Sequence, residues 1–229
     1  MIGIIGAMDI ETDGIKQLIE NCCTEKISGI EFFSGKICGK DVVAAKCGAG
    51  KVNAALCTEA MILKYHPECI INSGVAGGLS KKLNVTDIAI AENVVQHDCD
   101  TTPFGEPLGF LSHINTVKIP CSEKIVKTLY DAAQKLDNTT VVCGTIATGD
   151  QFINCNEKKQ KIIKNFNAVS TEMEGGAIGH VCYANGVDFG VLRAISDNAD
   201  GSSHMDYREF TIAAADKSIR IIRYFIENY

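Results

Sequence analysis

Short apolar runs alternate with longer amphipathic stretches along this chain. Ile2 to Ile5 is an apolar run closed by Gly6, which predicts a buried strand. Phe32 to Cys38 and Val42 to Cys47 are two more strand-like runs, joined at Gly39-Lys40-Asp41 as a hairpin. From Lys51 to Tyr65, residues Val52, Ala55, Leu56, Ala60 and Leu63 recur at helical spacing, and Pro67 ends that helix. Cys69 to Asn72 and Ile88 to Val95 predict strands, the first followed at once by Gly74, Gly77 and Gly78. Gln96 to Asn115, with Pro103, Gly105, Pro107 and Gly109, predicts a long loop, and a loop of that length is usually functional or disordered.

The second half continues the alternation. A helix is predicted over Ser122 to Leu136, then a strand over Thr140 to Ile146. Asn154 and Glu157 form a capping pair for a helix to Asn165. Val169 to Met173 reads as a strand running into an apolar helix, Ala177 to Ala184, which Asn185-Gly186 ends. Phe189 to Ile195 is a further strand, and Asp206 with Glu209 caps a last amphipathic helix to about Ile226. This order predicts an α/β fold, a central sheet covered by helices on both faces. No internal repeat or linker interrupts it, so residues 1–229 read as one domain.

Composition narrows the partners. With 46% hydrophobic and 22% charged residues, the chain has ordinary globular proportions. At 229 residues it can bury most of its unfolded surface without covalent staples. Acids outnumber Lys and Arg by 28 to 22, a net charge of -6, which argues against a binder of nucleic-acid phosphates. The eleven cysteines include no CxxC pair, so zinc-ribbon and thioredoxin-type readings lack their spacing. Met1 to Met8 is too short for a secretory signal, has no basic lead, and meets Asp9 and Glu11. No run approaches the ~18 apolar residues that cross a bilayer. The expectation is a cytoplasmic protein with no membrane partner, whose reduced thiols act as small hydrophobes.

In open α/β sheets, ligands bind beyond the carboxyl ends of the strands. That rule nominates Gly6 to Glu11, Asn72 to Gly78, Glu172 to Glu174, and Arg193 to Asp197. Three of these segments carry carboxylates, which are costly at a buried strand end unless paired or used. A helix cap or solvated turn explains any one of them alone, but explains several together less well. Two nucleotide motifs fail. Gly3-Ile4-Ile5-Gly6 lacks the first spacing of GxGxxG, and Gly48-Ala49-Gly50-Lys51-Val52 is too short for a phosphate loop and has Val52 where a magnesium-holding hydroxyl belongs.

Six segments carry a resemblance. They are Ile4-Ile5-Gly6-Ala7-Met8-Asp9-Ile10-Glu11, Asn72-Ser73-Gly74-Val75-Ala76-Gly77-Gly78, His97-Asp98-Cys99-Asp100, Gly149-Asp150-Gln151-Phe152-Ile153, Glu172-Met173-Glu174 and Arg193-Ala194-Ile195-Ser196-Asp197. In order and spacing the chain resembles bacterial methylthioadenosine/S-adenosylhomocysteine nucleosidases over essentially its whole length. The resemblance implies a three-layer α/β/α sandwich like that of purine nucleoside phosphorylases, with a mixed, partly barrel-like sheet. It also implies a homodimer, no metal or organic cofactor, and a small nucleoside as substrate. The reaction would be hydrolysis of the adenine–ribose bond in nucleosides with a thio substituent at the 5′ carbon.

Such a hydrolysis passes through an oxocarbenium-like transition state and needs an acid on one side and an activated water on the other. By resemblance, Asp197 protonates the five-membered-ring nitrogen of adenine, Ser196 orients it, and Glu11 is the base for water. Arg193 either positions that water or pairs a buried carboxylate such as Glu172. Glu174 holds the ribose hydroxyls. Met173 either packs beside the sugar or belongs to the core, and Phe152 either stacks on adenine or is core. The backbone of Ile153 reads the Watson–Crick edge, and Gly77 lies at the substrate. Met8 lines the thio pocket, Phe104 closes it from the partner subunit, and Tyr207 forms a lid where the family usually has Phe.

Three features depart from the family. Val75 stands where relatives often carry Ser near the water, Ala49 where a bulkier aliphatic is common, and the loop Glu106 to Ser112 diverges. His97 receives no role. A phosphorylase on the same fold would need cations for phosphate, yet neither Gly3 to Lys16 nor Asn72 to Ser80 contains Arg, and Glu11 would repel the anion. A nucleoside binder without turnover is the other rival, and the set Glu11, Glu174 and Asp197 argues against it.

Overall fold

The computed structural model describes residues 1–201 and 207–229, the side chains of the second stretch from residue 212 onward. The elements run β1 (Ile2–Gly6), α1 (Asp9–Leu18), β2 (Glu20–Ile27), β3 (Ile30–Ile37), β4 (Lys40–Lys46), α2 (Lys51–Tyr65), β5 (Cys69–Gly78), β6 (Ile88–Gln96) and β7 (Ile119–Pro120). They continue α3 (Glu123–Ala133), β8 (Val141–Thr148), α4 (Asn156–Phe166), β9 (Ala168–Glu172), α5 (Gly175–Asn185), β10 (Asp188–Asp197) and α6 (Tyr207–Asn228). All ten strands belong to one mixed sheet.

Strand β5 is the hub of that sheet. One edge pairs in parallel with β10 from Cys69 to Gly77. The other edge pairs with β1 from Cys69 to Asn72, then with β9 at Gly77 and Gly78. From β10 the sheet passes to β6, β8 and β9 and returns to β5, so five strands close a ring. From β1 it opens as a wing through β4, β3 and β2. The barrel-like half and the open wing therefore meet at β5.

Helices cover both faces. Ala54, Cys57 and Met61 of α2 and Ala177, Ile178 and Cys182 of α5 pack in one cluster with Ile70, Ala89 and Val191 from the sheet. On the other face, Ile15 of α1, Ile125 and Leu129 of α3, and Ile221 and Phe225 of α6 pack on Ile4, Ile71 and Leu192. Among the described residues, no helix is long and apolar enough to cross a membrane. Cys47, Cys57, Cys69, Cys121 and Cys182 are buried, as expected of thiols used as small hydrophobes, whereas Cys22, Cys23 and Cys38 are exposed and are not.

Several elements differ from the sequence expectation for physical reasons. The apolar pattern predicts nothing between Gly6 and Phe32, yet α1 and β2 lie there. Gly14 conceals α1, because it interrupts a helical pattern. A Cβ at Gly14 would come within 2.2 Å of Ile219 Cδ1, so the glycine is what lets α1 and α6 pack closely. Strand β2 is exposed along nearly its whole length, so it has no buried face to give it a period. β5 and β10 run on to Gly78 and Asp197, past the apolar runs Cys69 to Asn72 and Phe189 to Ile195 that predict them, because backbone pairing continues where the apolar pattern stops. Helix α4 starts at Asn156 with Cys155 as its N-cap and no side-chain cap bond, so the Asn154–Glu157 capping pair does not form. Of the expected caps, Asp206 lies outside the described residues, and so does the side chain of Glu209.

Phe225 is fully buried and stacks on Tyr229 with ring centroids 4.8 Å apart. Phe225→Ala is expected to lower the unfolding free energy by about 3–5 kcal/mol, as read from chemical denaturation. A loss below about 1 kcal/mol would place α6 outside the cooperative core.

Candidate active site

The site begins where β1 stops short. Asn72 is the last residue of β5 paired to β1, and Gly77 is the first paired to β9, so the edge from Ser73 to Ala76 has no strand beside it. A buried backbone N–H there must find another acceptor. Glu11 supplies it: the N–H of Val75 donates to Oε1 at 3.0 Å. The other carboxylate oxygen accepts the N–H groups of Ala7 at 2.7 Å and Met8 at 3.0 Å. Glu11 thus caps the start of α1 and fills the gap in the β5 ladder. An ionised carboxylate offers about four acceptor positions, so one remains after these three bonds.

Behind this carboxylate lies a buried cation. Arg193 of β10 is fully buried. Its Nη2 donates to Asn72 Oδ1 and Glu172 Oε2 and lies 3.5 Å from Glu174 Oε2. Burial opposes the guanidinium charge, but Glu172, Glu174 and Glu11 more than offset it and hold its pKa above the ordinary value. Glu172 is saturated: it also accepts from Thr148 Oγ1 and from the N–H groups of Glu174 at 2.9 Å and Gly175 at 2.7 Å. Arg193 Nε and Nη1 are left without protein partners. A Cβ on Gly74 would meet Arg193 Nη1 at 2.1 Å and Glu11 Oε1 at 2.6 Å, so both groups reach the same small space and glycine keeps it open. Arg193 therefore pairs Glu172, the structural reading, and also leaves Nη1 as an unpartnered donor beside Glu11.

Glu174 is the N-cap of α5 and is buried. Its Oε1 accepts the Gly50 N–H at 3.0 Å. Burial raises its pKa most, followed by the negative charge of Glu172. Arg193 and the Gly50 N–H pull it down and Glu11 pushes it up, with the result about 7. Asp197 ends β10, past a bulge in its pairing with β5 between Ile195 and Asp197. It too is buried; Ser196 Oγ donates to its Oδ2 at 2.9 Å and Ala199 N–H to its Oδ1 at 2.8 Å.

These groups share one cleft of about 580 Å³, its mouth included. Glu11, Glu174, Ser196 and Asp197 line it, with Met8, Gly77, Phe152, Ile153 and Met173. Phe152 is 57% exposed at the wall, so it is not core, and Met173 lies on the cleft rather than within a core cluster. Val75 and Ala49, the two departures, also line the cleft, whereas Arg193 stands behind it. Phe104 is not brought to this cleft: it is 86% exposed on a short 3-10 turn, Thr102–Phe104, beside a separate depression with Leu111, His113 and His180. The side chain of Tyr207 lies outside the described residues.

Sequence reasoning missed the supporting groups. Asn72 and Thr148 hold Arg193 and Glu172, and the Gly50 N–H holds Glu174. Asn72 sits in a nominated segment, and that was its only signal; a backbone donor such as Gly50 leaves none in the side-chain pattern.

A family model described as the phosphorylase superfamily matches residues 1–227. A 5′-methylthioadenosine/S-adenosylhomocysteine nucleosidase of Shewanella halifaxensis is 39% identical over 96% of each chain. The nucleosidase of that name from Neisseria meningitidis, solved with methylthio-immucillin-A, superposes with a TM-score of 0.96 at 31% identity, covering 100% of this chain and 99% of that one. Futalosine hydrolase of Helicobacter pylori gives 0.94 at 34% identity, covering 100% and 97%. The chain belongs to the phosphorylase superfamily and, within it, to the 5′-methylthioadenosine/S-adenosylhomocysteine nucleosidases.

Proposed function

We propose that this chain hydrolyses the bond between adenine and ribose in 5′-methylthioadenosine and S-adenosylhomocysteine. The observation that carries the reading is the convergence of Glu11, Glu174 and Asp197 on one cleft. Asp197 passes a proton to the five-membered-ring nitrogen of adenine as the glycosidic bond breaks, and Ser196 fixes its orientation. Glu11 uses its remaining acceptor position to take a proton from water as the water attacks the anomeric carbon. Arg193 Nη1, free beside Glu11, donates to the same water. Glu174 accepts from the ribose hydroxyls, and its charge stabilises the cationic sugar. Met8 and Met173 give the sugar and thio substituent an apolar wall, and Phe152 and Ile153 face the purine near Gly77.

A phosphate-dependent reaction fits the cleft poorly. Among the described residues no Lys or Arg lines it, while Glu11, Glu172, Glu174 and Asp197 all do. A phosphate dianion would meet four carboxylates, and the cation behind them, Arg193, is already paired with Glu172. We further infer one domain, a cytoplasmic location and a homodimer in which Phe104 reaches the partner's cleft. The apolar surface at Phe104, and at Val52, Leu56 and Leu63 on α2, supports the dimer. That all eleven cysteines are free supports a reducing compartment.

The purified chain is expected to release adenine from methylthioadenosine at the same rate with and without phosphate. Asp197→Asn and Glu11→Gln are each expected to lower kcat by about 10²- to 10⁴-fold while the folded variants still bind ligand by calorimetry. Strict phosphate dependence, or near-normal turnover in both variants, would remove the hydrolytic reading.

Protonation of Glu174 turns one of its acceptor oxygens into a donor and removes the charge that stabilises the cationic sugar, and burial has pushed its pKa up to about 7. Accordingly kcat/KM is expected to rise with pH through about 7 as the carboxyl loses its proton. In Glu174→Gln that limb disappears. A profile flat between pH 6 and 8 in the unmodified enzyme would contradict the assignment.

A further inference from the structure

Three segments far apart in sequence close a ring of hydrogen bonds where α2 begins. The Lys51 N–H donates to Asp150 Oδ1 at 2.7 Å. The Asp150 N–H donates to Asp98 Oδ2 at 2.8 Å, and the Lys51 ammonium donates to Asp98 Oδ1 at 2.7 Å. The ammonium also reaches Gln96 Oε1 at 3.4 Å. The Lys51 and Asp98 side chains are only 20% and 15% exposed, which sets this ion pair apart from the solvated pairs elsewhere on the chain. None of the three ring residues lines the cleft.

Helix α2 has no side-chain cap of its own. Its N-cap, Gly50, has φ +96°, a conformation that side-chain-bearing residues rarely adopt. The N–H groups of Gly50 and Lys51 are instead taken by Glu174 and Asp150. The helix end is therefore a two-pronged donor. One prong is locked into the ring, and the other meets the carboxylate that faces the sugar. Asp150 immediately precedes Gln151, Phe152 and Ile153, which line the cleft. One ring thus ties the purine wall to the helix end that holds Glu174.

We propose that Lys51, Asp98 and Asp150 are positioning residues for the reaction, holding the Gly50 N–H against Glu174 and fixing it relative to the purine wall. This rests on the reading of Glu174 as the ribose-binding carboxylate.

The sign of one effect separates positioning from simple charge. Glu174 is faced by Glu172, Arg193, Glu11, Cys47 and the Gly50 N–H. Removing the negative charge of Asp98 through space would ease ionisation of Glu174 and move its limb to lower pH. Loosening the Gly50 N–H removes a donor to the carboxylate and moves the limb to higher pH. Asp98→Asn does both. It deletes the charge, and it replaces one of two acceptor oxygens with an NH2 group that cannot accept, which opens the ring.

The experiment measures the pH profile of kcat/KM for the full chain, for Asp98→Asn and for Asp98→Glu, with thermal melting to check folding. Glu174→Gln identifies the limb. Asp98→Asn is expected to lower kcat/KM at pH 7 about tenfold and to move the limb up by about half a pH unit or more. Asp98→Glu, which keeps both acceptor oxygens, moves it less. If Asp98→Asn does not fold, Asp98→Ser gives the same readout. A limb that stays in place or moves down in the folded variant overturns the proposal, whatever the rate. A limb that survives in Glu174→Gln overturns the ribose assignment itself, and the proposal with it.

Discussion

A strand inside a sheet must satisfy both of its edges, and β5 runs out of partners between β1 and β9. The chain closes that gap with a carboxylate instead of another strand. Glu11 accepts the orphaned Val75 N–H with one oxygen and the start of α1 with the other. Had a strand filled the space, there would be no cleft. Had an apolar side chain filled it, the Val75 N–H would be left unpaired at a cost of about 1–3 kcal/mol. The backbone requirement and the chemistry therefore converge on one residue.

That choice propagates. A carboxylate at a sheet interior calls for compensating positive charge nearby, and Arg193 supplies it from β10. One guanidinium cannot satisfy three buried carboxylates equally. Glu172 is the carboxylate it hydrogen-bonds, so Glu174 keeps only a distant share of the cation and a single backbone N–H. Glu174 is therefore held near its titration point at neutral pH, while Arg193 keeps a free donor beside Glu11. Gly74 is the matching backbone feature, because any side chain there would occupy the space the two groups share.

Much of the site was legible because strand ends in an α/β sheet are where ligands bind, and four such ends carry the polar segments nominated from sequence. The layers were legible from the apolar alternation. What stayed hidden has no signature in a linear pattern. The sequence pattern of helix α1 is interrupted by Gly14, which serves contact with α6, and β2 has no buried face. Phe152 and Met173 each had a core reading and a site reading, and only their place on the cleft wall separates the two. The Lys51–Asp98–Asp150 ring joins residues 47, 52 and 99 positions apart, and two of its three bonds are donated by backbone N–H groups.

In the proposed reaction Glu11 and Arg193 hold a water on the face of the sugar opposite the departing base. A crystal structure of the Asp197→Asn variant with methylthioadenosine bound tests it most directly. One ordered water is expected within about 3 Å of a Glu11 oxygen and of Arg193 Nη1, lying across the anomeric carbon from adenine. A complex in which Glu11 and residue 197 approach the nucleoside from the same side, or in which Glu11 faces away from the cleft, would contradict it.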